Sequence, residues 1–299
     1  MIDARRLLVF KAVAEAGSFS AAAADLHLSQ PSVSRAVAGL ELSVGVTLLQ
    51  RRPDGIALTE AGARVLERAR IVASHLERAT EELAAIRDLE AGRVIVGSFP
   101  TVTRTFLVEA LRAVHEAHPN LQLEDSQVGG RTAATAVAGG AVDVGIGFEL
   151  HGEPPPEVPG VGIVAVLTEP MYAAVPRDHR LAARRRIELA ELAADPWIQG
   201  AGPASPRLVE RMCRRAGFEP RIVARSDSTQ SLVAAGLGVT LVPSIALVGA
   251  RPDIRFLPLD DPPRRDIFAA RLAGVRAPAV DAVLDALRRA SRHAATAVA

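Results

Sequence analysis

The chain has 299 residues, 49% of them hydrophobic and 23% charged, with 35 Lys and Arg against 34 Asp and Glu and one cysteine. This composition excludes a disordered chain, and the lone Cys213 excludes a disulfide framework or a thiolate zinc site built within one chain. The N-terminal Met1-Ile2-Asp3-Ala4-Arg5-Arg6 lacks a long apolar core and no apolar run reaches membrane-spanning length, so a soluble protein of the reducing cytoplasm is expected.

A net charge of +1 carries no nucleic-acid signal. Residues 1–93 hold 12 basic and 12 acidic residues, so any basic footprint has to be local. All the basic residues but Lys11 are arginine, the side chain suited to bidentate hydrogen bonding.

In chain order, Leu7, Leu8, Phe10, Val13 and Ala14 recur at helical spacing up to Gly17. Ser18 is a natural N-cap for a short second helix through Phe19, Ala22, Ala23 and Leu26, whose alanines let another helix pack closely. Ser29 can cap a third helix, with Pro31 in its first turn, where a missing N–H costs nothing. Val33, Val37 and Leu40 form its inward stripe, which leaves Gln30, Ser32, Ser34 and Arg35 outward. Val46 to Gln50 and Ile56 to Leu58 flank Arg51-Arg52-Pro53-Asp54-Gly55 and read as a small β-wing around a Pro-Asp-Gly turn.

Thr59 can cap a long helix lasting to about Leu89, roughly 46 Å at 1.5 Å per residue. On it Val65, Val72, Ala79 and Ile86 form one seven-residue row, and Ala69, Leu76 and Leu83 a second. The alternating steps of four and three predict a seam between two chains, with an amphipathic helix lying on its own domain as the competing reading.

A linker is marked by Ala91-Gly92. Beyond it, strands at Val94–Phe99, Leu121–Ser126 and Val142–Phe148 alternate with helices near Val102–Ala117 and Thr132–Ala138. A second set has strands at Met171–Val175, Ile222–Ala224 and Val239–Val242, with helices near Pro206–Ala216 and Ser228–Ala235. Strands Ile254–Leu257 and Ile267–Leu272 precede a helix at Ala279–Arg289. The alternation predicts an α/β fold with a largely parallel sheet.

The run from Ser18-Phe19-Ser20-Ala21-Ala22-Ala23-Ala24-Asp25-Leu26 through His27-Leu28-Ser29-Gln30-Pro31-Ser32-Val33-Ser34-Arg35 closely resembles the helix-turn-helix of LysR-type transcriptional regulators. Leu40-Glu41, Leu58-Thr59-Glu60-Ala61-Gly62, Gly217-Phe218-Glu219-Pro220 and Ala234-Ala235-Gly236-Leu237-Gly238-Val239 look like further landmarks of that family, so the resemblance spans nearly the whole chain. It implies a winged helix-turn-helix at 1–58, a dimerising linker helix at 59–90, and an effector domain at 91–299 folded like a periplasmic binding protein. The two lobes of that domain are expected at about 91–165 plus 265–299 and about 166–264. The implied partners are double-stranded DNA, a small anionic or polar effector, and further copies of the chain as dimer and tetramer, with RNA polymerase a further candidate. The chain departs from the family at Leu49, where phenylalanine is usual, and at Gly129-Gly130, where members often present a hydroxyl to the effector.

Ser29, Gln30, Pro31, Ser32, Ser34 and Arg35 are therefore expected at the major groove, where Arg35 can bond guanine bidentately and Gln30 adenine. Arg51 and Arg52 are expected at phosphates or in a minor groove, as wing residues. The seam is assigned to Val65, Ala69, Val72, Leu76, Leu83 and Ile86. In the effector domain, Gly97-Ser98-Phe99-Pro100-Thr101 follows a strand and opens a helix, so Ser98, Pro100 and Thr101 are candidates for one side of a ligand crevice. Gly200, Ala201, Gly202 and Ser205 are candidates for the other side. Ser228 and Thr229 are expected where the chain crosses between lobes, and Gly129 and Gly130 offer room or backbone contact.

His115 and His118 suit a helix C-terminus better than a metal pair, Cys213 reads as a packing residue, and no cofactor is expected. No nucleophile elbow, P-loop, dinucleotide fingerprint or zinc signature supports an enzyme. A purely architectural DNA-binding protein would not need about 200 residues of α/β structure.

Overall fold

The computed structural model of the chain describes residues 2–52, 55–87, 92–201, 207–248, 251–275 and 277–296. It divides into two units, Met1–Leu83 and Ala84–Ala299.

In the first unit α1 (Ala4–Ala16) starts where the Asp3 carboxylate accepts the Arg6 N–H at 2.9 Å, and it ends at Gly17, whose φ of 63° suits only glycine well. The Ser18 hydroxyl caps α2 (Phe19–Asp25) by accepting the Ala21 N–H. Helix α3 (Gln30–Val44) has Pro31 in its first turn, yet Ser29 provides no side-chain cap, because its hydroxyl pairs with that of Ser32 at 2.8 Å. Phe10, Val13, Ala22, Val33, Val37 and Leu40 close the core.

The wing pairs β1 (Leu49–Arg52) with β2 (Gly55–Leu58) antiparallel. Its first strand begins three residues later than the apolar pattern at Val46 suggested. Glu41 explains the delay: one carboxylate oxygen accepts the N–H groups of Leu48 and Leu49 at 2.7 and 3.1 Å, holding the chain on α3 before pairing starts.

Helix α4 (Glu60–Arg87) is capped as expected by Thr59, whose hydroxyl accepts the Gly62 N–H at 2.9 Å. A Cβ on Gly62 would stand 2.1 Å from the Leu48 carbonyl oxygen, so only glycine fits under the wing. Leu66 and Ala69 of α4 join the winged-helix core. The fully buried Ala69 is therefore unavailable to a second chain, which corrects its assignment to the seam. Val65 and Val72 flank the same core, and Leu76 is 47% exposed. The side chains of Leu83 and Ile86 lie outside the described residues.

The second unit opens with β3 (Gly92–Ser98), followed by α5 (Pro100–Val102), a π-helical turn at Thr103–Leu107 and α6 (Val108–Ala117). Then come β4 (Leu121–Gln127), α7 (Ala133–Ala138), β5 (Val144–Leu150) and the 16-residue β6 (Val161–Pro176). The chain continues through β7 (Pro196–Gln199), α8 (Leu208–Arg215), β8 (Arg221–Arg225), α9 (Thr229–Ala234) and β9 (Thr240–Pro243). It closes with β10 (Ile254–Leu257), β11 (Arg264–Leu272) and α10 (Pro278–Thr296).

Among the described residues the main sheet has the order β10-β6-β11-β5-β3-β4, with β9 also on β6, and β7 pairs with β8 separately. The expectation of a largely parallel sheet is corrected. Only β3 with β4 and β5, and β7 with β8, run parallel, whereas β6, β9, β10 and β11 pair antiparallel. The first half of β6 escaped the sequence reading because Val161 to Leu167 is nearly all apolar and so has no alternation to detect.

This long strand joins two lobes, pairing with β11 from Val161 to Pro170 and with β9 and β10 from Met171 to Pro176. One lobe packs α6 and α10 over Val96, Ile146 and Ile267, and α7 over Val142 and Ala270 on the other face. The other lobe is built on the fully buried Trp197, with Met171, Leu192, Met212 and Cys213 around it. The Trp197 indole N–H donates to the Leu192 carbonyl at 3.1 Å, so the ring is buried at no cost in unmet hydrogen bonding. Among the described residues no single helix is long and apolar enough to cross a membrane.

Candidate functional site

The outward face of α3 is small and polar. Ser29, Gln30, Pro31 and Arg35 are exposed, and Ser32 and Ser34 are half-buried, while Val33, Val37 and Leu40 anchor the opposite face. Arg35 Nη2 lies 3.4 Å from the Ser32 hydroxyl, which in turn pairs with Ser29, so the three side chains form one short polar row. Such a row offers hydrogen-bond donors and acceptors on the face of α3 opposite its buried Val33 and Val37. Arg51 and Arg52 lie on β1, and their side chains are outside the described residues.

In the second unit a cavity of about 570 Å³ opens between the lobes. Pro100, Thr101, Arg104 and Thr105 line it from the helix after β3, together with Phe99, Gln127, Val128 and Phe148. Gly200, Ser226, Asp227 and Ser228 line it from the other lobe. No side chain caps the first turn at Pro100, so the positive end of that helix faces the cavity wall. The π-helical turn that follows inserts an extra residue into the helix at Thr103–Leu107, a feature frequent at functional sites.

The structure brings together Pro100, Thr101, Gly200, Ser228 and Thr229, and it places the other described candidates outside the cavity lining. Ser98 is 1% exposed and does not line the cavity; its hydroxyl donates to Asp125 at 2.9 Å and pairs with Thr103 at 2.5 Å, which ties β3 to β4 and to the π-helical turn. Gly129 and Gly130 are buried away from the cavity, with Gly130 packed so closely on β5 that a Cβ on Gly147 would meet its carbonyl oxygen at 2.3 Å. Ala201 is exposed beside the cavity lining, and Gly202 and Ser205 lie outside the described residues. Ser228 does not mark a crossing between lobes, since it precedes α9 within the second lobe. Its hydroxyl makes no capping bond there.

Several lining residues have no local sequence signature. Arg104 follows Thr101 by three positions on the same helix and could have been found by that spacing. Arg265 and Phe148 meet only through the pairing of β11 with β5. Glu149 is buried against Arg131, 2.5 Å away, and Arg211 of α8, 3.7 Å away. Burial pushes its carboxyl above the usual range although both guanidinium groups pull it down. Arg211 and Arg215 both pair with Glu153, so α8 is tied by charge to the end of β5. Cys213 is buried in the core, and burial pushes its thiol up to about 12, as fits a packing residue.

The arrangement, a winged helix-turn-helix and a two-lobed α/β domain with a polar cleft, is that of a DNA-linked ligand sensor. Sequence comparison gives the family. The model described as "Bacterial regulatory helix-turn-helix protein, lysR family" matches residues 4–63, and that described as "LysR substrate binding domain" matches residues 87–292. The chain belongs to the LysR family of transcriptional regulators, not to an enzyme family. It is similar to the HTH-type transcriptional regulator AlsR of Bacillus subtilis, at 31% identity over 87% of this chain and 86% of that protein. Similarity to the HTH-type transcriptional regulator TfdS of Cupriavidus pinatubonensis is 30% identity over 96% of this chain and 98% of that one. The solved structure of full-length CbnR complexed with its target DNA superposes with a TM-score of 0.70, at 29% identity, over 97% of this chain and 100% of that chain.

Proposed function

We propose that the protein binds promoter DNA sequence-specifically through α3 and the wing, and changes that engagement when a small polar or anionic molecule occupies the interlobe cleft. One observation carries the reading: a single chain joins an exposed polar recognition face at Gln30 and Arg35 to a cleft of about 570 Å³ lined by Thr101, Gly200 and Ser228. In this account Ser29, Gln30, Pro31, Ser32, Ser34 and Arg35 meet the major groove, and Arg51 and Arg52 meet the backbone or a minor groove. Val65, Val72 and Leu76, with Leu83 and Ile86 further along α4, pair two chains, and the effector domains extend the dimer to a tetramer. RNA polymerase is a further partner, and the cytoplasm is the compartment.

The cleft acts by population shift, because a molecule with equal affinity for two arrangements would change neither. The test combines fluorescence anisotropy on fragments of the gene's own upstream region with a thermal-shift screen of small carboxylates, aromatics and amino-acid derivatives. Expected are sequence-selective binding that weakens steeply with salt and at least one molecule that raises the melting temperature. Salt-insensitive or sequence-indifferent binding would overturn the reading.

A further inference from the structure

Arg265 stands at the cleft wall with donor capacity that the fold does not use. It is 3% exposed and lies opposite Glu169 in the pairing of β11 with β6, next to the place where β6 passes from one lobe to the other. Its Nε–H donates to Glu169 Oε1 at 2.8 Å. Nη2 is 2.8 Å from the same oxygen but poorly aligned with it, and it has no hydrogen-bond partner. A buried guanidinium nitrogen without an aligned acceptor is costly, and Arg265 is at the same time a lining residue of a cavity large enough for a small molecule.

The surroundings hold this guanidinium in place. Glu169 cannot turn away, because its second oxygen accepts the Ser244 hydroxyl at 3.0 Å and the Ile245 N–H at 2.9 Å. The rings of Phe99 and Phe148 lie 5.3 and 4.9 Å from the guanidinium carbon and form an apolar floor that disfavours water as a substitute acceptor. Arg104 lines the cavity as well, Arg251 does so with its guanidinium paired to Asp253, and Asp227 is the acidic lining residue among those described. A guanidinium edge matches a planar oxyanion by two parallel hydrogen bonds.

We infer that Arg265 is the anion anchor of the cleft, that Glu169 is its positioning residue, and that the cleft takes small molecules bearing a carboxylate or comparable oxyanion beside an apolar body. The inference rests on the reading of the cleft as an effector site. It places the charge recognition at the strands joining the lobes, where an added anion bears directly on how β6 and β11 hold the two lobes together.

The test is isothermal titration calorimetry on the full chain with benzoate, succinate and inorganic phosphate, each carboxylate set against its uncharged amide, benzamide or succinamide. Arg265→Gln alone strands a buried carboxylate and endangers folding. The pair Arg265→Gln with Glu169→Gln therefore serves as the main variant, checked by circular dichroism, with Arg112→Gln on the exposed face of α6 as control. At least one anion is expected to bind about tenfold or more tightly than its neutral counterpart, with the preference lost in the paired variant and kept in the control. Carboxylate against phosphate binding identifies the oxyanion. Should the paired variant not fold, Arg265→Lys carries the test: it keeps the charge but not the two-pronged geometry, so affinity falls while the preference for anion over amide remains. An unchanged preference in the folded paired variant, equal binding of acid and amide, or unchanged anion affinity in Arg265→Lys overturns the inference. If the amides bind and Thr101→Val weakens them, the cleft reading survives without Arg265, whereas failure of every probe removes both.

Discussion

Replacing Glu41 by alanine tests how the recognition helix and the wing are made one rigid surface. In the native chain a single carboxylate oxygen accepts two backbone N–H groups, those of Leu48 and Leu49, and Leu48 is fully buried. A buried donor left without an acceptor costs about 1–3 kcal/mol, and an ionised acceptor makes the native bond stronger than a neutral one. With one donor fully enclosed and the other half-buried, the variant should lose roughly 3 kcal/mol of local stability, a change of about a hundredfold in the opening equilibrium. Hydrogen exchange followed by mass spectrometry on the full chain reads this directly, in peptides that cover residues 46–58. Exchange there should accelerate about a hundredfold while α1 and α2 keep their protection. Glu41→Gln keeps a neutral acceptor and should show a smaller acceleration, about tenfold. Unchanged exchange in Glu41→Ala would mean that the apolar contacts of Leu48, and not the carboxylate, hold the wing.

Arg35→Ala should remove about 1–3 kcal/mol of discrimination between the preferred site and a single-base variant, whereas Arg51→Ala should weaken all sequences evenly; anisotropy on both sites separates the two. Leu76→Asp puts a charge into the seam proposed on α4 and should shift the full chain toward monomer in sedimentation equilibrium, and an unchanged oligomer would place the interface elsewhere. Cys213 should resist thiol reagents in the native protein at pH 8 and react on unfolding. Its folded pKa of about 12 lies above the ordinary 9.0, so an unfolded chain ionises first and this residue's contribution to stability is lost as pH rises from about 9 to 12, a decline that Cys213→Ser should reduce.

The helical punctuation was legible because each signal is local. Gly17, Ser18, Pro31 and Thr59 sit at helix ends where their backbone or side-chain chemistry is needed within four residues. The Leu40-Glu41 and Thr59-to-Gly62 landmarks acquire a physical reason in the structure: the first pins the start of the wing, the second caps α4 and lets Gly62 pass under Leu48. Sheet direction was not legible, because the antiparallel return of β11 onto β5 and β6 pairs residues about 100 or more positions apart. Half of the cleft was hidden for the same reason. Thr101 and Gly200 could be proposed from a strand followed by a helix, but Arg265 becomes a lining residue only when β11 is laid beside Glu169 and Phe148. Ser98 misled because a buried serine after a strand looks like a ligand contact until Asp125 and Thr103 are seen to occupy its hydroxyl.

The central claim is that occupancy of the cleft alters how the recognition helices engage DNA, and a footprint of the protein on its own promoter, with and without a cleft-binding molecule, tests it most directly. The account predicts that a molecule found by thermal shift changes the length or spacing of the protected region in the native protein. Thr101→Val, which lines the cleft and loses one hydroxyl, should need roughly two- to tenfold more of the molecule for the same change while its ligand-free footprint stays the same. A footprint that is identical with the cleft empty and saturated would contradict the account.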